Sequence, residues 1–372
     1  MGGFSTLSSP KPWRHHHQNP IIPNHPTTNK IPVHFTPPLS KKPKPFSCFA
    51  LDSSKHPTPP LVVVGSANAD IYVEIDRLPK EGETVSAKTG QTLAGGKGAN
   101  QAVCGGKLEY PTYFVGQVGK DAHGKLITEA LEGGGVFLDY LAAVDEAPTG
   151  HAVVMLQAGG QNSIIIVGGA NMACWPESLS QEDLEVVKNA GIVLLQREIP
   201  DSVNIQVAKA TRSARVPVIL DAGGVDAPIP LELLKFIDIL SPNETELARL
   251  TNMPTESFEQ ISQAVGECHK MGVKQVLVKL GDKGSILFTE GEEPIRQPII
   301  SAPKVIDTTG AGDTFTAAFA VALVEGKSKI ECLKFAGMQS YIPVYYSLWY
   351  NKLRLTKSVM IFQLQLLHSV FK

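Results

Sequence analysis

Four short apolar runs stand out in the middle of the chain, at residues 192–195, 218–220, 237–240 and 276–278. Each is rich in Val, Ile and Leu and has the length of a strand that is buried on both faces. The segments between them have helical spacing of apolar positions, which predicts helices over residues 201–213, 244–250 and 257–271. Because apolar strands that alternate with helices are typical of a parallel sheet covered on both faces, the pattern predicts an α/β fold.

A second, smaller sheet is predicted nearer the N-terminus. Residues 61–65 form a further buried-strand run, but residues 71–94 alternate between apolar and polar positions and contain proline and glycine, which favours edge strands. Two apolar runs within residues 151–167 flank a glycine-containing turn at 158–162, which indicates a hairpin. We expect the strands near 71–94 and 151–167 to form this accessory sheet.

Polar residues follow the first predicted strand. Asn68 and Asp70 come shortly after residues 61–65, at the carboxyl end of a strand, where open α/β sheets bind their ligands. An amide donates and accepts hydrogen bonds and a carboxylate accepts them, which suits the vicinal hydroxyl groups of a sugar. Asn and Asp are also common in turns after strands, so the residues alone leave a ligand site and a turn open.

The composition limits the class of protein. The chain has 372 residues, 43% of them hydrophobic, and a mean hydropathy of 0.00, which suits one large α/β domain or two smaller ones. Its net charge of −2 implies no general affinity for nucleic acid. There is no run of 18 apolar residues that would predict a membrane span. The five cysteines include no Cys-x-x-Cys pair, which argues against zinc and against a disulfide framework.

The N-terminal segment differs from the body of the chain. Residues 1–60 hold 13 of the 27 prolines, seven basic residues and one acid, Asp52. A segment of this composition cannot bury a core, and we interpret residues 1–55 as a disordered transit peptide. The prolines disfavour an amphipathic mitochondrial helix, so the expected location is the chloroplast stroma. The alternative is a disordered tail of a cytosolic protein.

A glycine loop precedes the apolar segment 316–324. The loop, residues 307–315, contains Gly310, Ala311, Gly312 and Asp313. Because the start of a helix presents unpaired N–H groups and the positive end of the helix dipole, such a loop is a site for anionic oxygens. A carboxylate there would repel a resting phosphate, which favours a role for Asp313 in proton abstraction from an attacking hydroxyl. A tight turn with Asp as a helix N-cap is the alternative.

A second glycine motif lies far upstream, at residues 95–100. It precedes the helix-forming residues 101–104 and carries Lys97 and Asn100. It does not fit a P-loop, because Gly98 stands where Ser or Thr follows the lysine. It does not fit the dinucleotide fingerprint either, because no strand leads into a Gly-x-Gly-x-x-Gly turn.

In this order and spacing, the two motifs resemble the two signatures of the ribokinase-like (PfkB) carbohydrate kinase family. The resemblance covers residues 61–336 and implies a kinase domain over 56–336. It implies a Rossmann-like three-layer α/β/α sandwich with a mainly parallel central sheet and a small β-sheet lid formed by the accessory strands. In this family the lid closes over the sugar and often mediates dimerisation, so a homodimer is expected.

The resemblance assigns roles residue by residue. It implies that Asp313 is the general base, with the amides of Gly310, Ala311 and Gly312 beside it. The sugar contacts it implies are Asn68, Ala69, Asp70, Gly96, Lys97, Gly98, Ala99, Asn100, Glu198 and Asp313. The ATP contacts it implies are Asn243, Lys279, Leu280, Gly281, Asp282, Lys283, Gly284, Gly312 and Asp313. It further implies K⁺ at Asp307 and Thr309, and Mg²⁺ held through water by Glu246.

Some of these residues also fit simpler interpretations. Taken alone, Glu198 is as consistent with an acid in a surface turn as with a sugar contact. Asn243 and Glu246 also fit a helix cap, with Ser241 or Asn243 as the N-cap, and both interpretations can hold together.

The activity implied is ATP-dependent phosphorylation of D-ribose at O5 to give D-ribose 5-phosphate, with ATP as co-substrate and Mg²⁺ and K⁺ as cofactors. No nucleic acid or membrane partner is expected. Another sugar or nucleoside kinase of the family is the alternative. A third possibility is a catalytically impaired form, because residues 337–372 depart from the family pattern that completes the K⁺ and adenine contacts. For this atypical tail, an alternative reading frame is favoured over a membrane anchor.

Overall fold

The computed structural model describes residues 58–157, 162–300 and 310–340. Within them the chain forms thirteen strands and nine α-helices, with two short 3-10 helices at Gly169–Asn171 and Gly281–Lys283. The strands are β1 (Leu61–Val64), β2 (Asn68–Ile75), β3 (Thr89–Gly95), β4 (Thr112–Gly119), β5 (Phe137–Val144), β6 (His151–Gln157), β7 (Asn162–Val167), β8 (Ile192–Arg197), β9 (Val218–Gly224), β10 (Ile239–Ser241), β11 (Gln275–Lys279), β12 (Ser285–Thr289) and β13 (Ile295–Gln297). The helices are α1 (Lys97–Lys107), α2 (Ala122–Gly133), α3 (Gln181–Lys188), α4 (Asp201–Ala214), α5 (Leu231–Leu234), α6 (Glu244–Thr251), α7 (Phe258–Lys270), α8 (Ala311–Val324) and α9 (Lys329–Gln339).

Nine strands form the central sheet, in the order β13-β12-β11-β10-β9-β8-β1-β4-β5. The strands from β11 to β5 pair in parallel, whereas β12 and β13 add an antiparallel edge. In the register at the centre of the sheet, Leu61 lies opposite Thr112 on one side and Ile192 on the other. The expected mainly parallel sheet is thus confirmed.

Apolar side chains cover both faces of this sheet. Leu61 and Val63 pack on the side that holds the buried residues of α1, α2, α8 and α9. Val62 and Val64 pack on the opposite side, with α3, α4 and α7. Because successive side chains of a strand point to opposite faces, a strand buried on both faces must be apolar at every position. This requirement explains the continuous apolar runs and gives the expected three-layer α/β/α sandwich.

Four strands form the small sheet, in the order β3-β2-β6-β7. Asn68 pairs with Gly95 across the antiparallel β2–β3 pair, and Ala69 pairs with His151 across the parallel β2–β6 pair. Asn68 and Asp70 therefore lie inside a strand, and the turn that was the alternative for them is wrong. The residues near 71–94 form two separate strands, with residues 76–88 between them outside any strand. The predicted edge position holds for β3 but is wrong for β2, which lies between β3 and β6.

Side-chain caps fix where several helices begin. Ser257 caps α7 in a capping box with Gln260, and Ser328 caps α9 in a capping box with Glu331. Each box satisfies two backbone N–H groups that the first turn leaves without a helical partner. Helix α9 continues past residue 336 to Gln339. Among the helices of the described ranges, none is long and apolar enough to cross a membrane.

Candidate active site

The start of α8 is built as an anion site. Its N-cap is Gly310, with φ of 71°, a left-handed conformation that favours glycine, and glycine has no side chain with which to cap the helix. Within the described residues, the first N–H of α8 with a backbone acceptor is that of Thr314, which donates to Gly310 O at 2.9 Å. The amides that precede it in the first turn have no acceptor in that part of the chain, and they lie at the positive end of the helix dipole, where anionic oxygens bind.

Asp313 lies in this first turn and is 5% exposed. Its carboxylate accepts a hydrogen bond from Asn100 Nδ2 at 3.0 Å and contacts Lys97 Nζ at 3.4 Å. Both partners come from the upstream glycine motif, more than 200 residues earlier in the chain. Since Gly310 is the N-cap and the carboxylate is used in these contacts, the interpretation of Asp313 as an N-cap is wrong.

The upstream motif is partly helical, because α1 begins at Lys97. Gly96 precedes it with φ of 90°, and a Cβ there would lie 2.7 Å from the backbone N of Asn68. A Cβ at Gly98 would lie 2.7 Å from the backbone N of Ser66. Both positions require glycine because the start of α1 packs directly against the chain that links β1 to β2. This close approach places Asn68 next to the upstream glycine motif.

Glu198 directly follows β8 and contacts the start of α1. Its Oε2 accepts hydrogen bonds from Ser66 Oγ at 2.5 Å and from the backbone N–H of Lys97 at 3.1 Å. The side chain is half-buried at the start of α1. It is therefore not an acid in a surface turn, and its second carboxylate oxygen can accept a hydrogen bond from a ligand.

Asn171, which sequence analysis missed, holds Asn68 in one orientation. Its Oδ1 accepts a hydrogen bond from Ala67 N at 2.9 Å, and its Nδ2 donates to Ala67 O at 3.1 Å. These two bonds fix which end of the Asn171 amide is the donor. The same Nδ2 also donates to Asn68 Oδ1 at 2.7 Å. The NH₂ of Asn68 is thus turned away from Asn171 and is the end of that amide available to a ligand.

Asp221 is a second residue that sequence analysis missed. It ends the apolar run of β9, is 0% exposed, and contacts Lys97 Nζ at 3.3 Å and Lys279 Nζ at 2.6 Å. Burial disfavours its charge, but the ammonium groups of Lys279 and Lys97 outweigh burial and hold the pKa of Asp221 well below its usual value. Burial also opposes the charge of Lys97, yet Asp221, Asp313, Glu246 and Glu198 raise the pKa of Lys97 well above its usual value.

A cleft of about 650 Å³ adjoins Asp313. It is lined by Lys97 and the start of α8, and by the start of α6, the turn after β11 and residues 297–300. A Cβ placed on Gly312 would lie 3.8 Å from Lys279 Nζ, so this lysine stands beside the amides of α8. The residues predicted to contact ATP that line the cleft are Asn243, Lys279, Gly281, Asp282, Gly284, Gly312 and Asp313.

Asn243 and Glu246 form the helix cap that was the alternative for them. Asn243 Oδ1 accepts from the N–H of Glu246 at 2.7 Å, and Glu246 Oε2 accepts from the N–H of Asn243 at 2.8 Å. Glu246 also reaches the cleft: its Oε1 and Lys97 Nζ each lie 2.6 Å from the position of a Cβ on Gly223. One carboxylate at a cleft fits Mg²⁺, which keeps most of its water and takes few protein ligands.

The structure brings together several of the residues predicted to contact the sugar, whereas other predictions concern residues that it does not describe. Lys97, Asn100, Glu198 and Asp313 are joined by hydrogen bonds or ion pairs, and the backbone of Asn68 lies against Gly96 at the start of α1. The predicted K⁺ ligands, Asp307 and Thr309, lie outside the described residues, and so do residues 1–57 and the tail beyond residue 340. Within the described ranges, no cluster of three or more His, Cys, Asp or Glu side chains could hold a metal ion on its own.

Asp221 could have been found from the sequence. It directly follows the apolar run 218–220, in the position relative to its strand where α/β sheets place ligand-binding residues. Asn171 has no comparable signal, because its partners lie more than 100 residues away in the chain.

Known proteins are similar to this chain in sequence. The sequence profile of the pfkB family carbohydrate kinases matches residues 59–340. A ribokinase of Arabidopsis thaliana is 69% identical over 352 residues, covering 90% of this chain and 92% of the relative. A ribokinase of Bacillus subtilis is 36% identical over 284 residues, covering 76% of this chain and 92% of the relative.

A solved structure has the same fold. The structure of Arabidopsis thaliana ribokinase complexed with ribose and ATP superimposes with a TM-score of 0.75 at 76% sequence identity, covering 77% of this chain and 93% of that chain. The profile match extends over most of the chain, from before β1 to the end of α9. The chain therefore belongs to the pfkB family of carbohydrate kinases.

Proposed function

We propose that this chain catalyses ATP-dependent phosphorylation of D-ribose at O5, giving D-ribose 5-phosphate and ADP. The observation that carries the proposal is the buried carboxylate of Asp313 at the uncapped start of α8, in contact with Lys97 and Asn100. Proton abstraction and stabilisation of a migrating phosphoryl group require such a base and such amides side by side. The 69% identity to a ribokinase and the solved relative with ribose and ATP support the choice of substrates.

The sugar is held where the two glycine-containing elements meet β2. The NH₂ of Asn68 donates to one hydroxyl oxygen, and the carboxylate of Asp70 accepts from a neighbouring hydroxyl. Glu198, anchored through one oxygen by Ser66, uses its other oxygen for the ring. These contacts orient the terminal hydroxyl toward Asp313.

Phosphoryl transfer then needs no covalent enzyme intermediate. Asp313 accepts the proton of the O5 hydroxyl while that oxygen attacks the γ-phosphorus of ATP in line. The amides of Ala311 and Gly312 donate to the phosphoryl oxygens, and Lys279 places a positive charge beside them. When Mg²⁺ is bound to the nucleotide it offsets further negative charge, and Glu246 is the residue placed to hold it through water.

Activation by K⁺ is part of the proposal. The residues it assigns to K⁺, Asp307 and Thr309, directly precede Gly310, so a cation there would act on the same anion site. An assay with D-ribose, D-fructose and adenosine, each with ATP and Mg²⁺ and with or without K⁺, tests substrate and cation together. We expect turnover of ribose that K⁺ increases. Preference for fructose or adenosine would support another kinase of the family, and binding without turnover would support an impaired form.

We also propose that the lid mediates a homodimer. Ile164, Ile165 and Ile166 of β7 are 54%, 56% and 58% exposed, and β7 is the last strand of the small sheet. A contiguous exposed apolar strand marks an interaction surface. Light scattering on the wild-type chain and on the double variant Ile164→Ser/Ile166→Ser tests this, and we expect a dimer for the first and a monomer for the second. A wild-type monomer at micromolar concentration would contradict the proposal.

The chloroplast is the proposed location, supported by the proline-rich, basic and acid-poor composition of residues 1–55. A fluorescent protein fused after residue 60 should enter plastids. The same fusion without residues 1–55 should stay outside them, and plastid entry of both fusions or of neither would contradict the assignment.

A further inference from the structure

We infer that Asp221 is a positioning residue that keeps the ammonium group of Lys97 from closing onto Asp313. This inference rests on the proposed phosphoryl transfer. The side chain of Asp221 is 0% exposed, so it reaches a bound substrate only through its neighbours. Its role is therefore distinct from that of Asp313, which lines the cleft.

Each oxygen of Asp221 serves one lysine. Oδ1 contacts Lys97 Nζ at 3.3 Å and accepts from the backbone N–H of Gly223 at 3.0 Å. Oδ2 contacts Lys279 Nζ at 2.6 Å and accepts from Thr316 Oγ1 at 3.3 Å. The carboxylate is thus fixed by neutral donors and links a lysine at the start of α1 to a lysine at the end of β11.

The two lysines lie next to different residues in the first turn of α8. Lys97 Nζ contacts Asp313 Oδ1 at 3.4 Å. Lys279 Nζ lies beside Gly312, 3.8 Å from the position of a Cβ there. Both line the cleft, so one cation is next to the base and the other is next to the amides that would hold the phosphoryl oxygens.

Lys97 is shared almost equally between two carboxylates. It lies 3.3 Å from Asp221 Oδ1 and 3.4 Å from Asp313 Oδ1. These four groups, two ammonium and two carboxylate, balance their charges in a nearly buried cluster. If Asp221 were neutral, Lys97 would lose one of its two carboxylate contacts and would be drawn closer to Asp313, which supplies the other. A carboxylate engaged in a closer ion pair is a weaker acceptor for the hydroxyl proton.

The test uses the isosteric variant Asp221→Asn in the full chain. We expect kcat with ribose and ATP to fall roughly tenfold or more, as when a base is weakened, while the KM for ribose changes less than about threefold, because Asn68 and Glu198 are not touched. Thr316→Val is the matched control, since it removes a neutral hydrogen bond to the same carboxylate and leaves the charge in place. Its kcat should stay within about threefold of wild type.

A double-mutant cycle with Lys97→Met separates positioning from a structural role. If Asp221 acts by holding Lys97 away from Asp313, Asp221→Asn should lower kcat less than about threefold in the Lys97→Met background. If Asp221→Asn instead caused a structural defect, the fold losses in kcat of the two single variants would multiply in the double variant. Should Asp221→Asn fold too poorly for kinetics, the charge-balanced pair Asp221→Asn/Lys279→Met replaces it in the cycle.

Two results would overturn the inference: an Asp221→Asn kcat within threefold of wild type, or losses that multiply in the cycle. Neither result would touch the proposed function, which depends on whether the wild-type chain phosphorylates ribose. Conversely, a wild-type chain that binds ribose and ATP without turnover would remove the proposed function and the inference with it.

Discussion

Replacing Asp313 by Asn should abolish most of the kinase activity and leave nucleotide binding largely intact. A general base contributes about 10²–10⁴-fold to a rate, which corresponds to about 3–5 kcal/mol of transition-state free energy. The amide has nearly the same shape as the carboxylate but cannot accept the hydroxyl proton. We therefore expect kcat for ribose to fall by about 10²–10⁴-fold with little change in ATP affinity.

The contacts of Asp313 add a second, smaller effect. Its two oxygens face two donors, Asn100 Nδ2 and Lys97 Nζ. An amide offers one oxygen, so in Asp313→Asn one donor faces an NH₂ group. A buried donor without an acceptor costs about 1–3 kcal/mol, and the free energy of unfolding should fall by about that amount. Urea denaturation measures this effect separately from the loss of chemistry.

The assay couples ADP release to a spectroscopic signal, and calorimetry measures ATP binding to the same preparations. Asp183→Asn is a matched control, because Asp183 occupies the same position in α3 as Asp313 does in α8 but belongs to an exposed capping box with Ser180. It should keep the wild-type kcat. Turnover by Asp313→Asn equal to that of wild type would refute the assignment of Asp313 as the base.

Three further predictions follow from contacts of the site. Gly96→Ala should lower kcat/KM for ribose at least about tenfold, because its Cβ would lie 2.7 Å from Asn68 N at a φ of 90°. The control is Gly266→Ala on α7, where a Cβ meets open space, and this variant should be active and at least as stable as wild type. Equal losses of kcat/KM in both variants would contradict the prediction. Asn171→Asp should raise the KM for ribose about 5-fold to 100-fold with little change in the KM for ATP, because a carboxylate cannot donate a hydrogen bond to Asn68 Oδ1. Steady-state kinetics measures both constants, and an unchanged KM for ribose would refute the prediction. The lowered pKa of Asp221 contributes stability that is present above the pKa of an unfolded Asp, about 4, and is lost as the pH falls toward its folded value. Urea midpoints at pH 5 and pH 3 should therefore differ less for Asp221→Asn than for wild type, and an equal difference would argue against this linkage.

Much of the scaffold could be predicted because its signals are local. The run 192–195 is apolar at every position, and only a strand buried on both faces requires that. The helices after Asn243 and Ser257 begin where capping residues satisfy the first N–H groups. Each cap is a local sequence pattern, because the N-cap residue and its partner are only three positions apart. The anion site at α8 was also predicted, since a glycine loop before an apolar helix has the same donors in any fold.

Predictions failed or were missing where the answer depends on residues distant in the chain. The sequence left a ligand site and a turn open for Asn68 and Asp70, and the pairing of Asn68 with Gly95 and of Asp70 with Leu93 in the small sheet excludes the turn. The antiparallel edge formed by β12 and β13 was likewise not predicted, because strand order reflects packing partners rather than local periodicity.

The amino-acid sequence by itself determined the α/β class, the positions of the buried strands and the two glycine motifs, because hydrophobic period, caps and glycine loops act over a few residues. Only the tertiary structure decided how charges are shared in the site. Asp221, Lys97 and Asp313 come from three distant segments, and their contacts of 3.3 Å and 3.4 Å exist only once the strands align their carboxyl ends. Electrostatic interactions depend on separation in space, and separation in the sequence gives no measure of it.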